Sequence, residues 1–242
     1  MGAKVAHWAM AGWTRLPTPA GTRLLMGFLA VAAASLAFAK LASEVIEGDT
    51  QAFDRAVLLA LRVPGRADIP IGPHWLQEAA RDVTALGGTA VLTCATAAAA
   101  GFLMLSGRRA AAVLAVAAVG GGTVLGSALK LGFDRPRPDL VPHLAEAYTA
   151  SFPSGHTMLS AVTYLVLGAL LMRAERNRWA KAYILVVALL TTLLVGASRV
   201  YLGLHWPTDV LAGWCAGDAW SLLCLMAGSY FHGACRTPGQ RG

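Results

Sequence analysis

The sequence predicts an all-α fold: a polytopic membrane bundle of six transmembrane helices with a short extracytoplasmic interfacial helical segment. Three observations predict it. Apolar residues make up 56% of the 242-residue chain and charged residues only 14%, against about 45–50% and about 25% in a soluble domain. Mean hydropathy is +0.56. Six stretches, 24–43, 84–106, 110–131, 156–173, 182–199 and 207–231, are long and apolar enough to be read as spans, since a crossing takes about 20 such residues. Disorder, a collagen-like fibre and a disulfide-stapled mini-protein are excluded. The net charge of +7 is spread without a continuous basic run, so no nucleic-acid partner is expected.

The first span contains Ala37-Phe38-Ala39, which resembles a cleavage site, but 23 residues precede the span and its apolar run is long. An uncleaved first helix is expected, after a cytoplasmic segment 1–23. The membrane domain is expected over 24–232 and a cytoplasmic tail over 233–242. Between the first two spans, Phe53, Val57, Leu58 and Leu61 recur at helical spacing, with Asp54, Arg55 and Arg62 off that stripe. Trp75 and Leu76 begin a second helix-like run. Both are expected to lie at the interface or to cap the bundle. In the third span, Gly122 and Gly126 invite close approach of another helix. Asp218 sits mid-span, where a charge is costly; a hydrogen bond to Thr191 or Thr192 is expected. Cys94, Cys215 and Cys224 lie in apolar stretches and Cys235 in the tail, without a CxxC pair. They are read as small buried hydrophobes rather than metal or redox centres.

Loop charge sets the expected orientation. With the N-terminus inside, the inner loops hold Arg108, Arg109, Arg173, Arg176, Arg178 and Lys181 against Glu175 alone, whereas the loop 44–83 balances Arg55, Arg62, Arg66 and Arg81 with seven acidic residues. Both termini are then cytoplasmic. Tyr201, Trp75 and Trp206 are assigned to the outer aromatic belt.

That orientation brings one set of polar residues to the outer face. Lys130 ends the third span, and Arg137 follows in a proline-rich loop. Ser154, Gly155 and His156 open the fourth span, Arg199 closes the fifth, and His205 and Asp209 open the sixth. Three cations around one point suit the non-bridging oxygens of a phosphate. The helix start at Ser154-Gly155 favours an anion. Two histidines supply a nucleophile and a proton donor near neutral pH. Asp209, four residues after His205, is placed to hold the imidazole tautomer and stabilise its charge.

Three motifs carry a resemblance. Lys130 to Pro138 reads K-x6-R-P, residues 153–156 read P-S-G-H, and Ser198 to Asp209 reads S-R-x5-H-x3-D. In this order they resemble the type 2 phosphatidic acid phosphatase family of integral membrane phosphatases, whose site pattern vanadium haloperoxidases and bacterial acid phosphatases share. The resemblance implies that His205 attacks phosphorus to form a phosphohistidine, that Asp209 orients it, and that His156 protonates the leaving oxygen and then activates water. It further implies that Lys130, Arg137, Ser154, Gly155 and Arg199 hold the phosphoryl oxygens. No metal and no cofactor is expected. The family spacing selects Arg137 over Arg135, which is read as a solvated or headgroup-facing charge. The implied activity is metal-independent hydrolysis of a lipid phosphomonoester or diphosphate at the outer face. Undecaprenyl diphosphate is the first choice, ahead of phosphatidylglycerol phosphate, phosphatidate and lipid A phosphate. A vanadate-dependent peroxidase is disfavoured by the six spans. A non-enzymatic lipid transporter or scaffold leaves the paired histidines and the carboxylate without a purpose.

Overall fold

The computed structural model describes residues 19–144 and 149–234, and leaves the side chains of 19, 20, 23 and 230–234 undescribed. Most of the expected 1–23 and 233–242 segments therefore lies outside the described residues. The elements in chain order are α1 (Pro19–Glu47), α2 (Gln51–Ala60), β1 (Arg62–Val63), β2 (Arg66–Pro70), α3 (His74–Ala85), α4 (Thr89–Leu105), α5 (Arg109–Gly132), α6 (Gly155–Ala174), α7 (Arg178–Tyr201) and α8 (Pro207–Ala234). Five helices are long and apolar enough to cross a membrane, and α3 with α4, bent by 47°, makes a sixth crossing if counted as one span. The protein is a multi-pass membrane helix bundle.

Helix α6 is the axis of the bundle. It packs against α5, α7 and α8, and α8 packs in turn on α1. Val162 and Val166 of α6 are fully buried against Ala115 and Ala118 of α5. Small residues permit this approach, as expected for helices that associate by packing rather than by expelling water. A Cβ on Gly122 would lie 3.3 Å from Val162, and one on Gly126 would lie 3.4 Å from the Met158 sulfur. On α8 the fit is tighter. A Cβ on Gly217 would stand 2.7 Å from the Met158 carbonyl oxygen and 2.8 Å from the Ala161 Cβ.

The segment 84–106 is not one straight span. Helix α4 starts only at Thr89, after a break at Leu86–Gly88. The break also demands glycine: a Cβ on Gly87 would lie 2.5 Å from Val195 and 3.1 Å from the His156 carbonyl. The chain bends beside the first turn of α6, at the cleft end of the bundle. Of the stripe on α2, Leu58 is buried with Val57 and Leu61 packed beside it, and Phe53 alone turns outward. Phe53 is 51% exposed, while Asp54 is fully buried and Arg62 is 4% exposed. Both charges are buried because partners on distant elements receive them. Arg62 donates to the carbonyl of Tyr201 at 3.1 Å, and Asp54 pairs with Arg135. The antiparallel β1–β2 hairpin was not anticipated. Its turn runs through Pro64-Gly65, with Gly65 at φ +77°, a conformation glycine adopts without strain.

Other expectations also change. Tyr201 is buried, and its hydroxyl donates to Ile71 O at 2.8 Å rather than facing the interface. Thr191 and Thr192 donate to Val187 and Ala188 of their own helix, not to Asp218. Such bonds satisfy a hydroxyl locally. Asp218 is half-buried. Cys94 is exposed on the bundle surface, and Cys215 and Cys224 are only half-buried.

Overpacking at a helix contact typically costs about 1–3 kcal/mol. Gly217→Ala is expected to lower the thermal unfolding midpoint in detergent, because its new methyl meets backbone on α6. Gly101→Ala, where nothing lies within 4 Å of the new Cβ, is expected to leave the midpoint unchanged. Equal midpoints for the two variants would contradict this packing account.

Candidate active site

At one end of the bundle the loops after α5 and α7 converge on the start of α6. A cleft of about 310 Å³ opens there, lined by Lys130, Arg137, Gly155, His156, Arg199 and His205, with Thr89 and Thr149 at its rim. Three helix ends place Lys130, His156 and Arg199, while Arg137 and His205 stand on the loops beside them. Lys130 stands in the last turn of α5 and Arg199 in the last turn of α7. His156 is the second residue of α6. Two turns and a glycine then hold His205. Gly203 sits at φ +74°, and a Cβ there would be 2.7 Å from Val141, so both the conformation and the space favour glycine.

The cations carry no charged partner among the described residues. Lys130 Nζ donates to Ala150 O at 2.7 Å and to Thr149 Oγ1 at 3.1 Å. Arg137 donates through Nε to Thr149 O at 2.9 Å and through Nη1 to Leu204 O at 2.6 Å. Arg199 is 4% exposed, reaches Thr84 Oγ1 at 3.4 Å, and leaves its Nε without an acceptor. A buried donor without a partner is costly. Three such cations around one space make a receptor for a multiply charged oxyanion. Burial lowers the Arg137 guanidinium from its ordinary value, and Asp209 acts the other way.

His205 is 1% exposed and lies 3.3 Å through Nδ1 from Asp209 Oδ2. That contact sets the proton on Nδ1 and leaves the Nε2 lone pair toward the cleft, 3.2 Å from Arg137 Nη1. Burial pushes the imidazole down to about 4, with Asp209 opposing and Arg199 and Arg137 adding to the fall. At neutral pH it is therefore a neutral base. Asp209 itself is fully buried. Besides His205 it accepts from Trp206 N–H at 2.9 Å, from the Ser151 hydroxyl, and from Arg135 Nη1 at 2.6 Å.

Two expectations are revised by this geometry. Ser154 is fully buried. Its N–H donates to the Asp209 carbonyl at 3.0 Å and its hydroxyl pairs with Thr157 Oγ1 at 2.8 Å. It braces the turn behind the cleft, whereas Gly155 lines the cleft itself. Arg135 is not a solvated charge. Its side chain is 12% exposed and ion-paired with both Asp209 and Asp54. Sequence reasoning also missed Ser151, Thr149 and Thr84. The partners of Arg135 lie 74 and 81 residues away, so no local spacing announces them.

A cationic cleft with two imidazoles and a buried carboxylate, at one end of a membrane bundle, defines an integral membrane phosphatase. The family model described as the PAP2 superfamily matches residues 110–232. Phosphatidylglycerophosphatase B of Bacillus subtilis is 31% identical over 186 residues, covering 75% of this chain and 86% of the relative. An undecaprenyl-diphosphatase of Sulfolobus acidocaldarius is 35% identical over 75 residues, covering 31% and 32% of the two chains. Among solved structures, the transmembrane PAP2-type phosphatidylglycerolphosphate phosphatase from Bacillus subtilis superposes with a TM-score of 0.75 at 29% identity, covering 83% of this chain and 96% of that one. The chain belongs to the PAP2 superfamily and is a phosphoric ester hydrolase of the membrane lipid phosphatase kind.

Asp209→Asn keeps the shape of the carboxylate and removes its charge. Turnover is expected to fall by about 10²–10⁴, as when the orienting carboxylate of a catalytic triad is neutralised. Inhibition by vanadate is expected to persist, because Asp209 does not line the cleft. Near-normal turnover in a steady-state assay would make Asp209 purely structural.

Proposed function

We propose that the protein hydrolyses a lipid phosphomonoester or diphosphate through a phosphohistidine on His205, at the outer face of the cytoplasmic membrane. The observation that carries this reading is a single cleft that holds three cations, without carboxylate partners among the described residues, beside a histidine whose Nδ1 is tied to a buried carboxylate. Lys130, Arg137 and Arg199 take the non-bridging oxygens, and the N-terminus of α6 at Gly155 adds its dipole. Nε2 of His205 attacks phosphorus, and the bond from phosphorus to the leaving oxygen breaks. The positive charge that forms on the imidazole ring is met by Asp209. His156 gives a proton to the leaving oxygen; the incoming phosphate brings the negative charge that a protonated His156 needs beside three cations. In the second step His156 takes a proton from water, the water attacks phosphorus, and the N–P bond breaks.

The relative matched along most of its length bears the name phosphatidylglycerophosphatase B, whereas the undecaprenyl-diphosphatase matches over 31% of this chain. We therefore rank phosphatidylglycerol phosphate first and undecaprenyl diphosphate second, reversing the order inferred from sequence. A cleft beside the headgroups suits either, since the tail remains in the bilayer.

The roles of the two histidines separate in the first chemical step. His205→Ala is expected to abolish phosphoenzyme formation with every substrate. His156→Ala is expected to slow that step far more for a lipid phosphomonoester than for p-nitrophenyl phosphate, whose leaving group needs little protonation. The gap is about 10²–10⁴, the usual worth of general acid help. Rapid-quench measurement of the first step decides it; equal losses for both substrates would refute the assignment.

Orientation is tested separately. Single cysteines at Glu78 and Arg176, in a background without native cysteines, are probed with an impermeant thiol reagent in intact cells. Both positions are exposed. The Glu78 site is expected to react and the Arg176 site to stay silent. The reverse pattern would place the cleft on the cytoplasmic side.

A further inference from the structure

We propose that Asp54, on the short helix α2, is a positioning residue for the nucleophile, acting through Arg135 on Asp209. The proposal rests on the reading of His205 as the nucleophile. Its geometry is a continuous chain of charge. His205 Nδ1 meets Asp209 Oδ2 at 3.3 Å, Asp209 Oδ1 meets Arg135 Nη1 at 2.6 Å, and Arg135 Nη2 meets Asp54 Oδ2 at 2.7 Å. Asp54 and Asp209 are both fully buried. Asp54 also accepts from Thr208 N–H at 3.0 Å and from the Thr208 hydroxyl at 2.7 Å. It therefore holds the first turn of α8, the turn from which Asp209 projects. Thr208 in turn accepts from Arg135 Nη1 at 2.9 Å.

The charge balance explains why a second carboxylate is present. Asp54, Arg135 and Asp209 together carry one negative charge in excess. The positive ring that forms when His205 bonds to phosphorus cancels it. Without Asp54, the guanidinium would offset Asp209 completely, and the positive ring would form against no net counter-charge. The other groups facing His205 make this worse. Arg137 comes from the loop after α5, Lys130 from α5, Arg199 from α7 and His156 from α6. None of the three cations has a carboxylate partner among the described residues, so Asp209 and the two groups behind it supply the local negative charge. Asp54 does not line the cleft that holds those cations. Its effect falls on the nucleophile and not on phosphate binding.

The test compares the full-length wild type, His205→Ala, Asp54→Asn, Arg135→Lys and the Asp54→Asn/Arg135→Lys double variant in detergent. Phosphoenzyme formation from p-nitrophenyl phosphate is measured by rapid quench across pH, together with vanadate inhibition and thermal midpoints. Asparagine keeps an acceptor for the Thr208 N–H while removing the charge. The first step is expected to slow by about 10–100-fold in Asp54→Asn, by analogy with the loss when an outer-shell partner behind a metal-bound histidine is removed. Vanadate inhibition is expected to be unchanged. The acid limb of the rate is expected to move to lower pH, because a lost negative charge disfavours protonated His205. The double variant is expected to lose no more than the worse single one, since both break the same chain. An unchanged rate and limb in Asp54→Asn would overturn the proposal. So would a rate loss matched by weaker vanadate inhibition with the limb in place, or losses that multiply in the double variant. If His205→Ala still becomes phosphorylated, the nucleophile assignment itself falls, and that outcome is visible without the Asp54 variants.

Discussion

A single buried carboxylate, that of Asp209, organises the end of this bundle where the chemistry is placed. An unpaired charge in an apolar interior is prohibitively costly, so the chain must bring donors to it. It does so from two loops: Arg135 and Ser151 from the segment between α5 and α6, and His205 and Trp206 from the turn before α8. The backbone carbonyl of Asp209 takes the Ser154 N–H as well. Each donor is thereby fixed relative to the others. The apolar side supports the same arrangement, with Phe133 and Phe152 packed 4.9 Å apart against Phe38 of α1. Asp209 is thus a fixed point for the fold and for the imidazole at once.

The sequence announced the spans and the cleft residues because both leave local marks. Length and hydropathy mark a span, and Lys130, Arg137, His156, Arg199 and His205 lie in three compact motifs at the ends of spans. Support from a distance leaves no such mark. Asp54 meets Arg135 across 81 residues and Thr208 across 154. On α2 the periodic signal held for Val57, Leu58 and Leu61, which pack in the core, and failed only at Phe53. Hydrophobic spacing therefore marks most of the inner face of α2, but it gives no sign that Asp54 shares that face. Burial of Asp54 is decided by the ion pair and not by the stripe. At Ser154 the local signal is incomplete for a related reason. A helix start suggests free N–H groups, yet the tertiary carbonyl of Asp209 had already claimed one.

The bend between α3 and α4 belongs to the same logic. At the break, any side chain on residue 87 would enter the space that Val195 and the His156 backbone occupy. The Gly87-Gly88 break lets the chain pass close to His156 and turns α4 into the cleft wall at Thr89. Tyr164 secures the break by donating to Leu86 O at 2.8 Å. The element that looks weakest as a membrane span is therefore the one shaped by the site. Hydropathy reports the medium around a helix, whereas the bend reports what lies across from it.

Two arginines two residues apart show how burial and pairing divide labour in one loop. Arg135 and Arg137 share a proline-rich segment and are alike in chemistry. Arg135 is held between two carboxylates, and its charge is spent inside the protein. Among the described residues, Arg137 bonds to carbonyl and hydroxyl oxygens and to His205. Carbonyl acceptors orient a guanidinium without neutralising it, so its field still reaches the cleft. Lys130 and Arg199 follow the same rule, with neutral acceptors alone among the described residues. Such a cleft is electrostatically incomplete until an anion enters, and the stabilisation withheld from the empty site becomes available for binding phosphate and for the charge that shifts as phosphorus is attacked. A carboxylate beside Arg137 or Arg199 would stabilise the empty bundle and weaken the site. The segregation of both carboxylates behind Arg135 and His205 is what keeps the cleft cationic.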